Sequence, residues 1–182
     1  TDRSMRKKTI FITELAEQYN FLNQTEIDKL ISSISKDDLS DHGSLVGNAK
    51  STFNKAKGLF LDNHKDIKDK IESHLWQDNL VVTNSWVNVQ GEDSRLNLHN
   101  HPNSIMSGAI YLKVDDNSSE LYFENPNSMY FNYGEPVSVM PVTGMCLMWP
   151  SWLKHGSGQS TNKSSERIVL SFNTFFKEGG NI

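Results

Sequence analysis

Hydrophobic and polar positions repeat with two different periods along this chain, and the change comes near residue 80. Between residues 9 and 77, apolar positions recur every three or four residues, which predicts amphipathic helices. Ile10, Leu15 and Ala16 open one such segment, and Thr25 is placed to cap a second running through Ile27, Leu30 and Ile31. The clearest covers 63–77, with Asn63 as its cap and Ile67, Ile71 and Leu75 four residues apart. Lys50 to Lys57 is expected to form another short helix, whereas the Ser/Gly/Asp-rich stretch 37–48 reads as loop.

From residue 80 the period becomes that of strands. Leu80–Thr83, Ser85–Val89, Arg95–His99, Gly108–Val114, Glu120–Phe123, Val137–Met140, Gly144–Trp149 and Arg167–Phe176 are rich in β-branched and aromatic residues. Turn residues separate them, as in Gly91-Glu92-Asp93, Asp115-Asp116-Asn117 and Asn125-Pro126-Asn127. Eight short strands after a helical region predict an α+β, mainly β, fold: a β-sandwich or small barrel with helices packed outside. Without an internal repeat or linker, residues 1–182 read as one domain, with 1–79 the helical support and 80–177 the β core.

Composition narrows the function classes. Of 182 residues, 36% are hydrophobic and 22% charged, a globular balance. A net charge of −4 argues against a nucleic-acid binder, which would carry a basic stripe. The one basic cluster, Arg3 to Lys8, reads as a solvated terminus. Cys146 is alone and lies in an apolar run, so it is expected to be a buried, inert thiol in a reducing compartment. No stretch approaches the roughly 18 apolar residues of a membrane span, and no signal-peptide pattern opens the chain. A cytoplasmic location is expected.

Candidate chemistry lies in the histidines. His42, His64 and His74 have no partner pattern and read as surface or capping residues, with His74 a possible support for the core. His99 and His101 differ, because a strand's period of two turns both rings to one face, as a chelating pair requires. His155 follows the strand 144–149 and its turn, where an adjacent strand returns a third imidazole to the same mouth. Neutral imidazoles suit divalent iron, zinc or copper, and three of them leave coordination positions open for chemistry. Alternation in Arg167-Ile-Val-Leu-Ser-Phe-Asn places Arg167, Val169 and Ser171 on one face. An arginine facing a sandwich core needs an anion, either a ligand or a core carboxylate such as Glu120 or Glu124.

These residues resemble the 2-oxoglutarate/Fe(II) oxygenase superfamily, particularly the uncharacterised bacterial and phage branch near the prolyl hydroxylases. His99-Asn-His-Pro-Asn-Ser-Ile-Met-Ser-Gly-Ala-Ile-Tyr-Leu112 looks like that family's metal motif and following strand. Ser119-Glu-Leu-Tyr-Phe123 is similar to the next strand, and Pro141 to Trp149 followed by His155 to the segment bearing the distal histidine. The resemblance covers 86 to about 173 and implies a double-stranded β-helix (jelly roll) that couples oxidative decarboxylation of 2-oxoglutarate to oxidation of a second substrate. It implies Fe(II) on His99, His101 and His155, and 2-oxoglutarate bound by Arg167 and Tyr111, with Ser107, Trp149, Ser171 and Asn173 lining the pocket. Trp86 and Asn88 recur in the same branch and serve either packing or substrate. His101 departs from the family's usual His-x-Asp/Glu, which leaves open whether a carboxylate such as Glu120 replaces one of the pair.

Two other readings of the residues stand beside this one. A cupin-like enzyme would use the same histidines without 2-oxoglutarate, and a non-enzymatic β-sandwich module would have them by coincidence. The substrate is not legible: loops 91–94, 125–136 and 156–165 carry no specificity motif, so a protein side chain and a small metabolite are both expected candidates.

Overall fold

The last strand of the chain organises the fold, because both of its faces are buried. Ile168, Leu170 and Phe172 enter one apolar cluster, and Val169 enters another on the opposite side. The computed structural model describes residues 13–127 and 135–178. The basic cluster Arg3–Lys8, Ile10 and part of the loop 125–136 lie outside those residues.

The first half holds β1 (Ala16–Gln18), α1 (Gln24–Ser32), β2 (Leu45–Val46), β3 (Ala49–Ser51) and α2 (Lys65–Glu72). The second holds β4 (Leu80–Gln90), β5 (Arg95–Leu96), β6 (Met106–Lys113), β7 (Leu121–Phe123) and β8 (Val137–Val139). It ends with β9 (Cys146–Pro150), β10 (His155–Gly156) and β11 (Arg167–Phe176). An antiparallel six-stranded sheet runs β1-β9-β6-β11-β4-β3; facing it is a three-stranded sheet, β10-β7-β8, and β2 pairs with β5. This is the expected mainly β jelly-roll architecture with supporting helices.

The two apolar clusters explain the layers. On the outer face of the large sheet, Val87, Ile110, Leu112, Met148 and Leu170 pack against Ile27 and Leu30 of α1 and Ile67 and Ile71 of α2. Each such Ile or Leu, fully buried, contributes about 1.5–3 kcal/mol. Between the sheets, Ala109, Tyr111, Leu147, Trp149 and Val169 meet Leu121, Phe123 and Leu153. Gly108 lets β6 and β11 approach: a Cβ there would lie 2.1 Å from Phe172 Cζ and 2.8 Å from Leu147 O.

Several expected elements differ, and each has a local cause. Ala16 does not enter a helix; Ala16–Gln18 takes its hydrogen bonds from the edge of β9, with Ala16 opposite Met148. Part of the expected helix 50–57 is instead strand β3, paired with Lys50 opposite Val89. Helix α1 is capped by Asn23 rather than Thr25: Asn23 Oδ1 accepts from Glu26 N, and Asn23 N donates to Glu26, both at 2.9 Å. Helix α2 starts after His64, not Asn63, and without a side-chain cap. Leu80–Thr83 and Ser85–Val89 are one strand, with a register shift where Asn173 faces Asn84 and Thr174 faces Val82. His64 is buried rather than on the surface; it takes the N-cap position of α2 without a side-chain cap bond, and its Nε2 lies 3.0 Å from Ser33 Oγ. Cys146 is buried as expected, and burial pushes its thiol up to about 12, so it stays protonated. None of the described helices is long and apolar enough to cross a membrane.

Candidate functional site

After Leu96 the chain leaves the β2–β5 ladder and reaches His99, which forms an antiparallel bridge directly with His155. His99 N donates to His155 O at 3.0 Å, and His155 N donates back to His99 O at 2.9 Å. Two residues on, His101 N donates to Ser151 O at 2.9 Å. Backbone pairing therefore brings the three rings together, and their candidate ligand atoms lie within 4.8 Å of one another. No carboxylate belongs to this cluster among the described residues, so Glu120 is not the third partner.

The second nitrogen of each ring decides what the first can do. His99 Nδ1 lies 2.7 Å from Asn97 O, and His155 Nδ1 lies 3.0 Å from Leu153 O. A carbonyl only accepts, so both rings carry their proton on Nδ1. His101 Nδ1 lies 2.5 Å from Asn173 Oδ1, which also accepts from Ser107 Oγ at 2.8 Å. All three neutral rings thus present a bare Nε2. His99 Nε2 and His101 Nε2 face each other at 3.1 Å, lone pair to lone pair, an arrangement that a shared cation satisfies.

Burial keeps these rings in the form a metal needs. It pushes His155 down to about 3 and His101 down to about 4, and it lowers His99 as well. The neighbouring imidazoles add to the lowering at His155 and His101. At neutral pH all three are uncharged ligands.

At the other end of the same cavity Arg167 is buried, opposite Gln90 in the β4–β11 register. Its Nε donates to Ser119 O at 3.2 Å and one Nη donates to Gln90 Oε1 at 2.6 Å. It makes no ion pair among the described residues: Glu124 pairs with Lys154 instead, and Glu120 does not reach it. Tyr111 stacks beside it, with the guanidinium carbon 5.4 Å from the ring centre. The buried Tyr111 hydroxyl, Gln90 Nε2 and Ser119 Oγ have no hydrogen-bond partner. A buried cation ringed by unused polar groups suits a carboxylate supplied from outside the chain.

A cavity of about 230 Å³ joins the two ends. His99, His101, His155, Arg167, Tyr111, Trp149, Ser171 and Asn173 all line it, as do Trp86 and Asn88. Ser107 sits behind His101 instead, 3.0 Å from its Nδ1, and Asn173 Oδ1 is taken up in orienting the same ring. Trp149 lies edge-on to His155 at 4.8 Å, and its buried Nε1 has no partner. His42, expected on the surface, also lines the cavity, with Ser44, Phe53, Gln90 and Leu96. The β2–β5 pairing and the bond from Asn97 N to Ser44 O bring His42 there, and no periodicity in 37–48 points to it.

The sequence profile described as "Putative 2OG-Fe(II) oxygenase" matches residues 84–173, which contain all nine of the residues expected to hold the metal and cosubstrate or line their pocket. Over these residues the chain matches the 2-oxoglutarate/Fe(II) oxygenase family. Solved structures share this oxygenase fold at low sequence identity. A Burkholderia pseudomallei oxidoreductase of the 2OG-Fe(II) oxygenase family is 13% identical, with 93% of this chain and 88% of that one covered and a TM-score of 0.63. A Trichoplax adhaerens prolyl hydroxylase, solved with a hypoxia inducible factor peptide fragment, is 15% identical (90% and 84% covered, TM-score 0.64). HygX from Streptomyces hygroscopicus, solved with nickel and 2-oxoglutarate, is 12% identical (89% and 82% covered, TM-score 0.63). No curated protein matches in sequence. The oxygenase family uses Fe(II) and 2-oxoglutarate, and both ends of the cavity have the donor sets these require.

Proposed function

We propose that this oxygenase holds Fe(II) on His99, His101 and His155, and takes the far carboxylate of 2-oxoglutarate on Arg167 and Tyr111. The observation that carries the reading is the common tautomer: three Nδ1 atoms are each fixed by an oxygen acceptor, and three bare Nε2 atoms converge. When bound, the iron and cosubstrate supply the oxygen chemistry, coupling formation of succinate and carbon dioxide to oxidation of the primary substrate. The chain's own groups position and desolvate. Asn97 O, Leu153 O and Asn173 Oδ1 hold the rings, and Arg167, fixed in plane by Ser119 and Gln90, turns its remaining Nη to a carboxylate. Trp149, Val169, Ser171 and Asn173 wall the cavity between them.

The primary substrate is a protein side chain, as the peptide complex of the Trichoplax enzyme suggests, or a small metabolite. The described residues act as one catalytic domain, and the single buried thiol suits a protein working in a reducing cytoplasm. Anaerobic titration with Fe(II) tests the site. Wild type is expected to bind one equivalent and His155→Ala to bind at least about 100-fold more weakly, since loss of an outer partner alone costs about 10–100-fold. Succinate formation and oxygen uptake should require both Fe(II) and 2-oxoglutarate. Their absence from iron-loaded protein across a broad peptide and metabolite panel refutes the proposal.

A further inference from the structure

We propose that His42 is a substrate-recognition residue that donates a hydrogen bond to an oxygen acceptor of the primary substrate, in a site that excludes cationic groups. This rests on the three-histidine iron reading above and assigns the remaining wall of the same cavity.

His42 is a fourth imidazole on the cavity, yet its chemistry is opposite to that of the other three. Its Nδ1 accepts from Ser44 N at 3.4 Å and lies 2.8 Å from Ser44 Oγ. A backbone N–H only donates, so Nδ1 is the acceptor and the ring proton sits on Nε2. That Nε2–H has no hydrogen-bond partner among the described residues, and the ring lines the cavity. The three triad rings present bare nitrogens, whereas His42 presents a donor. It is therefore built to bind an acceptor and not to be a fourth metal ligand.

Its position is held from several sides. Asn97 N donates to Ser44 O at 2.8 Å and Leu45 N donates to His42 O at 3.0 Å, tying the loop to the segment that carries His99. The neighbouring Asp41 accepts from Asn54 Nδ2 through its carbonyl at 2.9 Å. A chain of edge-on rings then runs from His42 to Phe53 (5.0 Å between centres) and from Phe53 to Trp86 (5.3 Å). Trp86 in turn leans on His101 at 5.7 Å. A fixed donor beside two aromatic faces, next to a metal ligand, has the composition of a recognition wall.

Charge sets the class of group. Among the described residues, no Asp, Glu or Lys lines the cavity. With three neutral ligands, Fe(II) and dianionic 2-oxoglutarate cancel, and Arg167 leaves the filled site one unit positive. A lysine-like or arginine-like substrate group would find no counter-charge there, while a carbonyl or carboxylate oxygen would meet the His42 donor. Ordinary ligand pockets hold about 300–1,000 Å³. This one offers about 230 Å³ for cosubstrate and substrate together.

The test uses the full chain loaded with Zn(II) and 2-oxoglutarate, so that no turnover occurs, and ligand-observed NMR with three matched probes. These are the N-acetyl amides of asparagine, aspartate and lysine. The asparagine or aspartate amide is expected to bind at least about tenfold more tightly than the lysine amide. His42→Phe should weaken the tighter probe by about tenfold, the loss of one hydrogen bond. His42→Gln, which keeps a donor, should stay within about threefold of wild type, and circular dichroism reports folding for both variants. Equal or tighter binding of the lysine amide, no binding of any probe, or no loss in His42→Phe overturns the inference. Failure of wild type to bind Zn(II) or 2-oxoglutarate instead overturns the reading of the site on which it rests.

Discussion

Replacing Arg167 by Lys keeps the charge and removes the fork, which makes it a sharp test of how the cosubstrate is held. The guanidinium already uses Nε on Ser119 O and one Nη on Gln90 Oε1, so the group is fixed in plane by two neighbours. Neither of these bonds uses the second Nη, which is the donor available to a carboxylate. A lysine ammonium is a point charge on a flexible stem, and it cannot satisfy Ser119 and Gln90 while also reaching the ligand. One charge-assisted hydrogen bond contributes about 1.5–3 kcal/mol. Its loss corresponds to roughly 12–150-fold in 2-oxoglutarate affinity. Isothermal titration under nitrogen, on metal-loaded protein, measures this directly, and a parallel metal titration should be unchanged because Arg167 is remote from the histidine triad in the cavity lining. Affinity within about threefold of wild type would refute the reasoning, as would an equal loss of metal binding.

Other outcomes follow from the same geometry. Asn173→Ala removes the acceptor 2.5 Å from His101 Nδ1 and should weaken metal binding by about 10–100-fold with little change in folding, measured by competition with a chelator. In metal-free protein, burial lowers His155 to about 3 and His101 to about 4 from an ordinary value of 6.5. The folded state then binds fewer protons than the unfolded state below pH 6.5. The stability these neutral rings preserve is therefore complete above pH 6.5 and is lost as pH falls towards 4 and then 3. Thermal unfolding of apo wild type should drop more steeply over that window than that of a variant with all three histidines changed to Gln; parallel curves would contradict the assignment. Gly108→Ala places a methyl 2.1 Å from Phe172 Cζ and should destabilise by at least about 1–3 kcal/mol in urea unfolding.

The metal site is largely legible in the sequence because its parts are local or periodic. His99 and His101 are two apart, and although β5 ends at Leu96, short of the expected strand to His99, the His99–His155 bridge and the bond from His101 N to Ser151 O bring both rings into the cluster. On β11 the period of two separates Arg167, Val169 and Ser171 from Ile168, Leu170 and Phe172, and the two apolar clusters divide the same way. His101 stands where the family more often has a carboxylate, and its ring joins a cluster in which no carboxylate takes part among the described residues. Loop and edge residues are not legible in this way. The spacing around Ala16–Gln18 is helical, yet so short a segment cannot form its own ladder and takes hydrogen bonds from β9. Gln90 carries no sequence signal, and its importance lies in its register opposite Arg167.

By itself, then, the sequence determined the strand faces, the candidate ligands and the family they match. Tertiary structure decided which nitrogen of each histidine is free, because that depends on carbonyls of neighbouring turns: Asn97 O for His99 and Leu153 O for His155. It also decided that His42, a lone histidine in a polar loop, belongs to the cavity. The β2–β5 pairing brings that loop to the segment before His99, and a hydrogen-bond ladder between segments distant along the chain leaves no periodic trace in either one.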